Sequence, residues 1–165
     1  MAVVAAVTAS LALAACAGDK KAAPRLAYQE RPVELLYSTG AYRLDQRRWT
    51  EAVSYFQEVE RQHPYSPWAR RAQLMSAFSY YAYGDHTKSI DSARRFLSIH
   101  PGNRDAPYAY YLIGLSYYEQ ISDVTRDQKI TQQAQAALGE IVRRYPDSRY
   151  AADARLKLDL VRDHL

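Results

Sequence analysis

From Val33 onward, apolar residues recur at intervals of three and four, the spacing of one face of an α-helix. These periodic stretches are separated by three junctions centred on proline: His63-Pro64-Tyr65-Ser66-Pro67-Trp68-Ala69, His100-Pro101-Gly102-Asn103 and Tyr145-Pro146-Asp147-Ser148-Arg149-Tyr150-Ala151. Proline lacks the backbone N–H that a helix interior needs, so each junction closes one helix and opens another. Ser66 and Ser148 stand where an N-cap belongs, Pro67 where a first-turn proline is tolerated, and Asp105 ahead of the helix that contains Pro107. The pattern predicts helices over about 33–46, 49–62, 67–83, 86–99, 106–121, 128–144 and 149–164.

Counting back from the three prolines exposes a repeat. Twelve residues before each stands a small side chain, Ala52, Ser89 and Ala134. Eight before stand Phe56, Ala93 and Leu138, and five before stand Val59, Phe96 and Ile141. Upstream, Leu36, Gly40 and Trp49, then Ala77, Tyr80 and Gly84, then Gly114 and Tyr117 take the remaining packing positions. Small residues let two antiparallel helices approach, and large ones fill the space between successive hairpins. The arrangement matches the tail of the tetratricopeptide repeat, and Ala52-Val53-Ser54-Tyr55-Phe56 meets it in full. The expected fold is all-α, a tetratricopeptide superhelix (an α-solenoid) of antiparallel hairpins over 32–165, with units at about 33–66, 67–103 and 104–148 and a partial fourth from 149. The prolines are 37 and then 45 residues apart, and the extra 8 fall in the polar stretch Ser122–Lys129 between the helices of the third hairpin. On the last helix Leu156, Leu160 and Val161 need a cover, which leads us to expect an array that continues past its fourth unit.

The first segment has a different pattern. Residues 2–15 carry no charge and run directly into Cys16, after which the chain turns polar. The stretch is too short to span a bilayer and suits the apolar core of a secretory signal. Leu13-Ala14-Ala15-Cys16 resembles the lipobox of bacterial lipoproteins, although no basic residue precedes the apolar run. The resemblance implies that 1–15 is a signal peptide and that Cys16 carries a thioether-linked diacylglycerol and an N-acyl chain such as palmitate. By the sorting rule of such lipoproteins, Ala17 rather than Asp after the cysteine implies the outer membrane. Residues 16–31, polar with Ala and Pro, read as a flexible lipidated tether.

Composition adds one signal and removes several. With 15 Tyr against 3 Phe and 2 Trp, the chain favours half-buried rings with polar tips, which suits binding surfaces. The formal charge of +4 is spread over pairs such as Arg47-Arg48, Arg70-Arg71, Arg94-Arg95 and Arg143-Arg144, which read as solvated helix faces. There is no long basic run and no nucleic-acid motif. A single cysteine excludes an intramolecular disulfide, and the four histidines (63, 86, 100 and 164) lack metal-ligand spacing. No nucleophile elbow, phosphate loop or dinucleotide fingerprint occurs, so we expect no enzyme, cofactor or metal.

The helix near 106–121 is apolar on both sides, with Tyr108, Tyr111, Leu115 and Tyr118 on one and Tyr110, Ile113, Gly114 and Tyr117 on the other. In a tetratricopeptide array the first helix of each hairpin lines the concave surface. That placement makes Tyr37, Arg71, Leu74, Phe78, Tyr81, Tyr108, Tyr111 and Tyr118 candidate groove residues, along with Ala41 and Leu44. A tyrosine-rich wall with an occasional arginine suits an extended peptide with aromatic side chains, whose carboxylate the guanidinium could hold.

Three segments make the chain similar to the BamD family, the lipoproteins of the outer-membrane β-barrel assembly (Bam) machinery of Gram-negative bacteria. They are His63–Ala69 leading into Gln73–Met75 and Tyr80-Tyr81, Asp123–Gln128 in the insertion, and Arg144–Tyr150. The resemblance runs from the lipobox to the last residue. It implies a non-enzymatic subunit, lipid-anchored on the periplasmic face of the outer membrane, that takes part in protein insertion into that membrane. The implied partners are unfolded outer-membrane proteins, a BamA-like β-barrel subunit and other lipoproteins of the machinery. Family members have about five repeats, the last of which dock on the barrel subunit. A second reading is a periplasmic tetratricopeptide scaffold that coordinates cell-envelope or division proteins, which predicts an unlipidated signal and a coiled coil ahead of the repeats. A third, an envelope enzyme, would need a catalytic domain beyond Leu165.

Overall fold

A computed structural model describes residues 23–121 and 128–162, so Cys16 with the apolar residues before it, residues 122–127 of the insertion and residues 163–165 lie outside the described part. The described residues form seven helices: α1 (Val33–Asp45), α2 (Trp49–Gln62), α3 (Pro67–Tyr83), α4 (His86–Ile99), α5 (Ala106–Tyr118), α6 (Gln128–Arg144) and α7 (Arg149–Arg162). The all-α hairpin array of the sequence reading is therefore the observed fold. Helix α1 ends one residue short of its expected end and α5 three short. At the end of α5, Gln120 and Ile121 donate to the carbonyls of Tyr117 and Tyr118 at 3.1 Å, a tighter turn that α-helical bonding does not continue.

Helices α1, α3, α5 and α7 lie side by side, each touching the next, and α2, α4 and α6 are each wedged against the two odd helices that flank them. The odd helices thus form an inner layer and the even ones an outer layer. All nine residues picked out by counting back from the prolines are at most 1 % exposed. Close approach inside each hairpin rests on paired sizes. A Cβ on Gly40 would stand 2.8 Å from Cε1 of Phe56, and one on Gly114 would stand 2.8 Å from Cδ2 of Leu138. The second hairpin meets the same need with two small residues, Ala77 and Ala93, both fully buried. Where the other hairpins place Ala52 and Ala134, the second places Ser89, whose Oγ lies 3.1 Å from that of Ser116 in the core.

Caps account for the junctions unevenly. Ser66 Oγ accepts the N–H of Ala69 at 3.1 Å, as expected of an N-cap followed by Pro67. The other two expected caps are not made. Ser148 Oγ is buried without a hydrogen-bond partner. Asp105 occupies the N-cap position of α5 without a side-chain cap bond, and Asn103 Oδ1 instead accepts its N–H at 2.8 Å. The turns inside the first two hairpins share one hydrogen-bond pattern, closed by Arg47 at φ 58° in the first and Gly84 at φ 79° in the second.

The polar segment ahead of α1 is held at its end. Arg31 N–H donates to Gln62 Oε1 at 2.9 Å, Gln62 Nε2 donates to the Gln29 carbonyl at 2.8 Å, and His63 Nε2 lies 2.8 Å from the Arg31 carbonyl. The guanidinium of Arg61 lies 4.5 Å from the centre of the Tyr28 ring. Residues 28–31 are thus fastened to the end of α2, where the sequence suggested free tether.

Candidate functional site

The inner layer carries two aromatic stations at repeat-equivalent places. At the first, Tyr37 of α1 lies 4.7 Å from the ring of Trp68 and 5.5 Å from that of Phe56. Arg71, one turn further along α3, holds its guanidinium 5.4 Å above the Trp68 ring. Among the described residues no carboxylate pairs with Arg71, which is exposed. Burial raises the Tyr37 hydroxyl above its usual pKa, with the charge of Arg71 opposing the shift.

At the second station, Tyr111 of α5 stacks on Tyr150 of α7 at 5.1 Å, and Tyr108 lies 5.4 Å from the same ring. Tyr111 OH donates to Asp153 Oδ2 at 2.5 Å, and Lys157 Nζ donates to Asp153 Oδ1 at 3.0 Å. The same ammonium lies 5.4 Å from the Tyr118 ring, and Arg149 lies 4.8 Å from the ring of Tyr150. Tyr81 of α3 joins from the other side, donating to Glu119 Oε1 at 3.3 Å and meeting His86 edge-on.

Proton placement here is fixed. Burial, then Glu119, pushes the Tyr81 hydroxyl up to about 12. Burial also lifts Tyr108 and Tyr111 well above the ordinary tyrosine range, reinforced at Tyr108 by Tyr150 and at Tyr111 by the bond to Asp153. For Asp153 burial acts upward, but the bonds from Tyr111 and Lys157 outweigh it and hold the carboxyl below its usual value. The rings therefore stay neutral phenols and Asp153 stays an anion over the physiological range.

Tyr37 and Arg71 thus meet at one station, and Tyr108, Tyr111, Tyr118 and Tyr81 gather about the other. Phe78 is half-buried between them, packed on the core. Leu74 is a correction. It belongs to the buried core at 6 % exposure, in one cluster with Ala109, Leu112 and Ile113 of α5. Helical periodicity does not single out Trp68, Tyr150, Asp153 and Lys157, yet the register holds the clue. Trp68 and Tyr150 both stand two residues after a junction serine, and Tyr37 and Tyr111 are two 37-residue steps apart. The middle junction has Asp105 in the place of Trp68 and Leu74 in the place of Tyr37, which breaks the aromatic row.

Among the described residues no helix is long and apolar enough to cross a membrane, and no group of three His, Cys, Asp or Glu side chains is placed to hold a metal. Comparison with known proteins gives one family. Residues 29–165 match the family model for YfiO, described as an outer membrane lipoprotein. The outer membrane protein assembly factor BamD of Caulobacter vibrioides is 56% identical over 162 residues, 98% of this chain and 53% of its own length. Its namesake from Rickettsia prowazekii is 37% identical over 134 residues, 81% of this chain and 53% of that protein. The one from Neisseria gonorrhoeae is 33% identical over 166 residues, 92% of this chain and 61% of that one. The chain thus spans about half the length of the first two relatives. Solved structures with a similar fold include the Arabidopsis OM64 TPR domain, with a TM-score of 0.61 at 14% identity, covering 81% of this chain and 96% of that one. PcrH from Pseudomonas aeruginosa has a TM-score of 0.55 at 18% identity, covering 82% and 96%. These last two speak for the fold alone.

Proposed function

This chain belongs to the YfiO family of outer membrane lipoproteins, and from that premise we propose that it serves outer-membrane protein assembly by holding unfolded substrates on its inner layer. An extended segment lies along α3, α5 and α7 with an aromatic side chain on an exposed ring face. Its terminal carboxylate, where it has one, pairs with Arg71. The protein acts by binding and orientation, without catalysis. Cys16 carries the lipid that keeps it on the periplasmic face of the outer membrane, beside a BamA-like barrel subunit and other lipoproteins of the machinery.

The observation that carries this reading is the pair of aromatic stations on one layer, the first with a guanidinium that no carboxylate of the described residues neutralises. Ring faces attract aromatic and aliphatic side chains with little regard to sequence. A charge-assisted bond to a carboxylate contributes about 1.5–3 kcal/mol.

The test uses a labelled outer-membrane strand peptide ending in phenylalanine and measures its affinity by fluorescence anisotropy. Amidating its terminus is expected to weaken binding about tenfold, equivalent to ~1.4 kcal/mol. Arg71→Ala should weaken the free-acid peptide by a similar factor and leave the amidated one unchanged. Equal affinities for both peptides in the wild type would remove Arg71 from the account. The anchor is tested separately: Cys16→Ala should move the protein from the membrane fraction to the soluble one, and an unchanged distribution would contradict it.

A further inference from the structure

The repeat also builds two equivalent slots on the outer layer, and they have opposite chemistry. In the first, between α2 and α4, stand Glu60, Gln73, Ser76 and Arg95. Their counterparts in the second, between α4 and α6, are Leu97, Tyr110, Ile113 and Glu140, 37 residues on for the first three and 45 for the last, which lies past the insertion.

The first slot is latched. Arg95 reaches across from α4 to place Nη1 2.9 Å from Glu60 Oε2, and Gln73 Nε2 donates to the same oxygen at 3.1 Å. Behind the latch the free space is about 30 Å³, and outside it lies a polar notch of about 280 Å³. In the second slot a leucine stands in the place of Glu60, so nothing draws Glu140 across. Its carboxylate turns along α6 to Arg143 and Arg144 instead. What remains is an open cleft of about 420 Å³ floored by Leu97, Ile113, Tyr117 and Ala137.

The rim of this cleft is basic. Arg94 lies 5.8 Å from the Tyr117 ring and donates to its hydroxyl at 2.9 Å, and Arg144 lies 5.5 Å from the ring of Tyr110. Glu140, the carboxylate among the lining residues, is already paired with Arg143 and Arg144, so Arg94 on the same cleft has no carboxylate partner among the described residues. At the first slot Arg95 and Arg61 are matched by Glu60 and Glu58.

We propose that the cleft between α4 and α6 docks a partner-protein segment with an apolar side chain flanked by carboxylates. The apolar group covers Leu97, Ile113 and Ala137, and the carboxylates pair with Arg94 and Arg144. This surface lies on the opposite layer from the aromatic stations, so a substrate and this partner can be held together.

The probe is a fluorescein-labelled hexapeptide with leucine and phenylalanine at its centre and two acidic residues on each side, titrated with the full-length protein. Leu97→Glu combined with Glu140→Arg installs the first slot's latch in the second. It is expected to weaken binding at least about tenfold while helical circular dichroism is kept. Ala136→Trp, at an exposed site on the mouth, should do the same without touching the core. Replacing the central pair by serines, or the acidic residues by lysines, should each abolish binding. Affinity unchanged in the latch variant and in Ala136→Trp overturns the proposal, as does a lysine-flanked peptide that binds equally well or a wild-type protein that does not bind the acidic peptide. Sedimentation showing self-association that the latch variant abolishes would make the occupant a second copy and overturn it as well.

Discussion

The two aromatic stations of the inner layer are built on the same register but finished differently. At the first, Tyr37 and Trp68 meet over Phe56 with Arg71 left uncompensated. At the second, Tyr111 and Tyr150 stack with Asp153 and Lys157 completing the polar tips. The first therefore has an unmet demand for an anion, while the polar tips of the second are satisfied by Asp153 and Lys157. A repeat reuses one backbone arrangement, and the side chains at equivalent positions decide whether a site is left open to a ligand or closed on itself. The outer slots follow the same rule, with Arg95 latching one and Glu140 leaving the other open.

The comparison breaks most severely if the support of the first station is removed. Phe56 is fully buried and touches Tyr37, so Phe56→Ala should destabilise the fold by about 3–5 kcal/mol. Chemical denaturation followed by circular dichroism measures this. The same Phe56 ring sets the effect of Gly40→Ala. In the wild type the new methyl collides with it, an overpacking of about 1–3 kcal/mol that the helix propensity of alanine offsets only in part. In the Phe56→Ala background the collision is gone, and Gly40→Ala should become stabilising by up to ~1 kcal/mol. The same sign in both backgrounds would mean that the close approach of α1 and α2 does not depend on this pair.

A smaller effect sharpens the second station. Tyr111→Phe removes the hydrogen bond to Asp153 and keeps the ring. Asp153 is partly exposed, so the expected loss at neutral pH is only about 0.5–1 kcal/mol. The folded-state pKa of Asp153 lies below its unfolded value. Its contribution is therefore present above the unfolded value, near 3.9, and is lost as pH falls through the folded one. Melting temperatures of wild type and Tyr111→Phe should accordingly differ at neutral pH and converge as the solution is acidified below the ordinary carboxylate range. A gap that persists at the lowest pH would assign the effect to packing.

Much of this was legible in the chain because repeats overdetermine their cores. The nine positions counted from the prolines are forced by helix-on-helix packing, and every one is buried. The stations were legible only in part. Helical periodicity gave the face for Tyr37, Arg71, Tyr81, Tyr108 and Tyr111, but depth is set by the neighbouring helix, and Leu74 is buried in one cluster with residues of α5. Tyr150 and Asp153 are not legible from periodicity, because only the packing of α7 on α5 brings them to Tyr111. Leu156 and Leu160 are indeed 67 % and 50 % exposed, whereas Val161, expected with them, is fully buried. Side-chain capping was the least legible feature. Ser66 caps and Ser148 does not, although both stand in the same sequence context.

The central claim is that an aromatic-ended substrate segment lies on the inner layer, and site-resolved photocrosslinking tests it most directly. An outer-membrane strand peptide carrying benzoylphenylalanine at its terminus would be irradiated with the full-length protein and the labelled residues mapped by mass spectrometry. Labels are expected on the inner layer near Trp68 and Arg71, where the carboxylate end is held, and moving the benzoylphenylalanine to an internal position of the peptide should shift them towards Tyr81 and Tyr111. Labelling confined to α2, α4 and α6 would contradict the account.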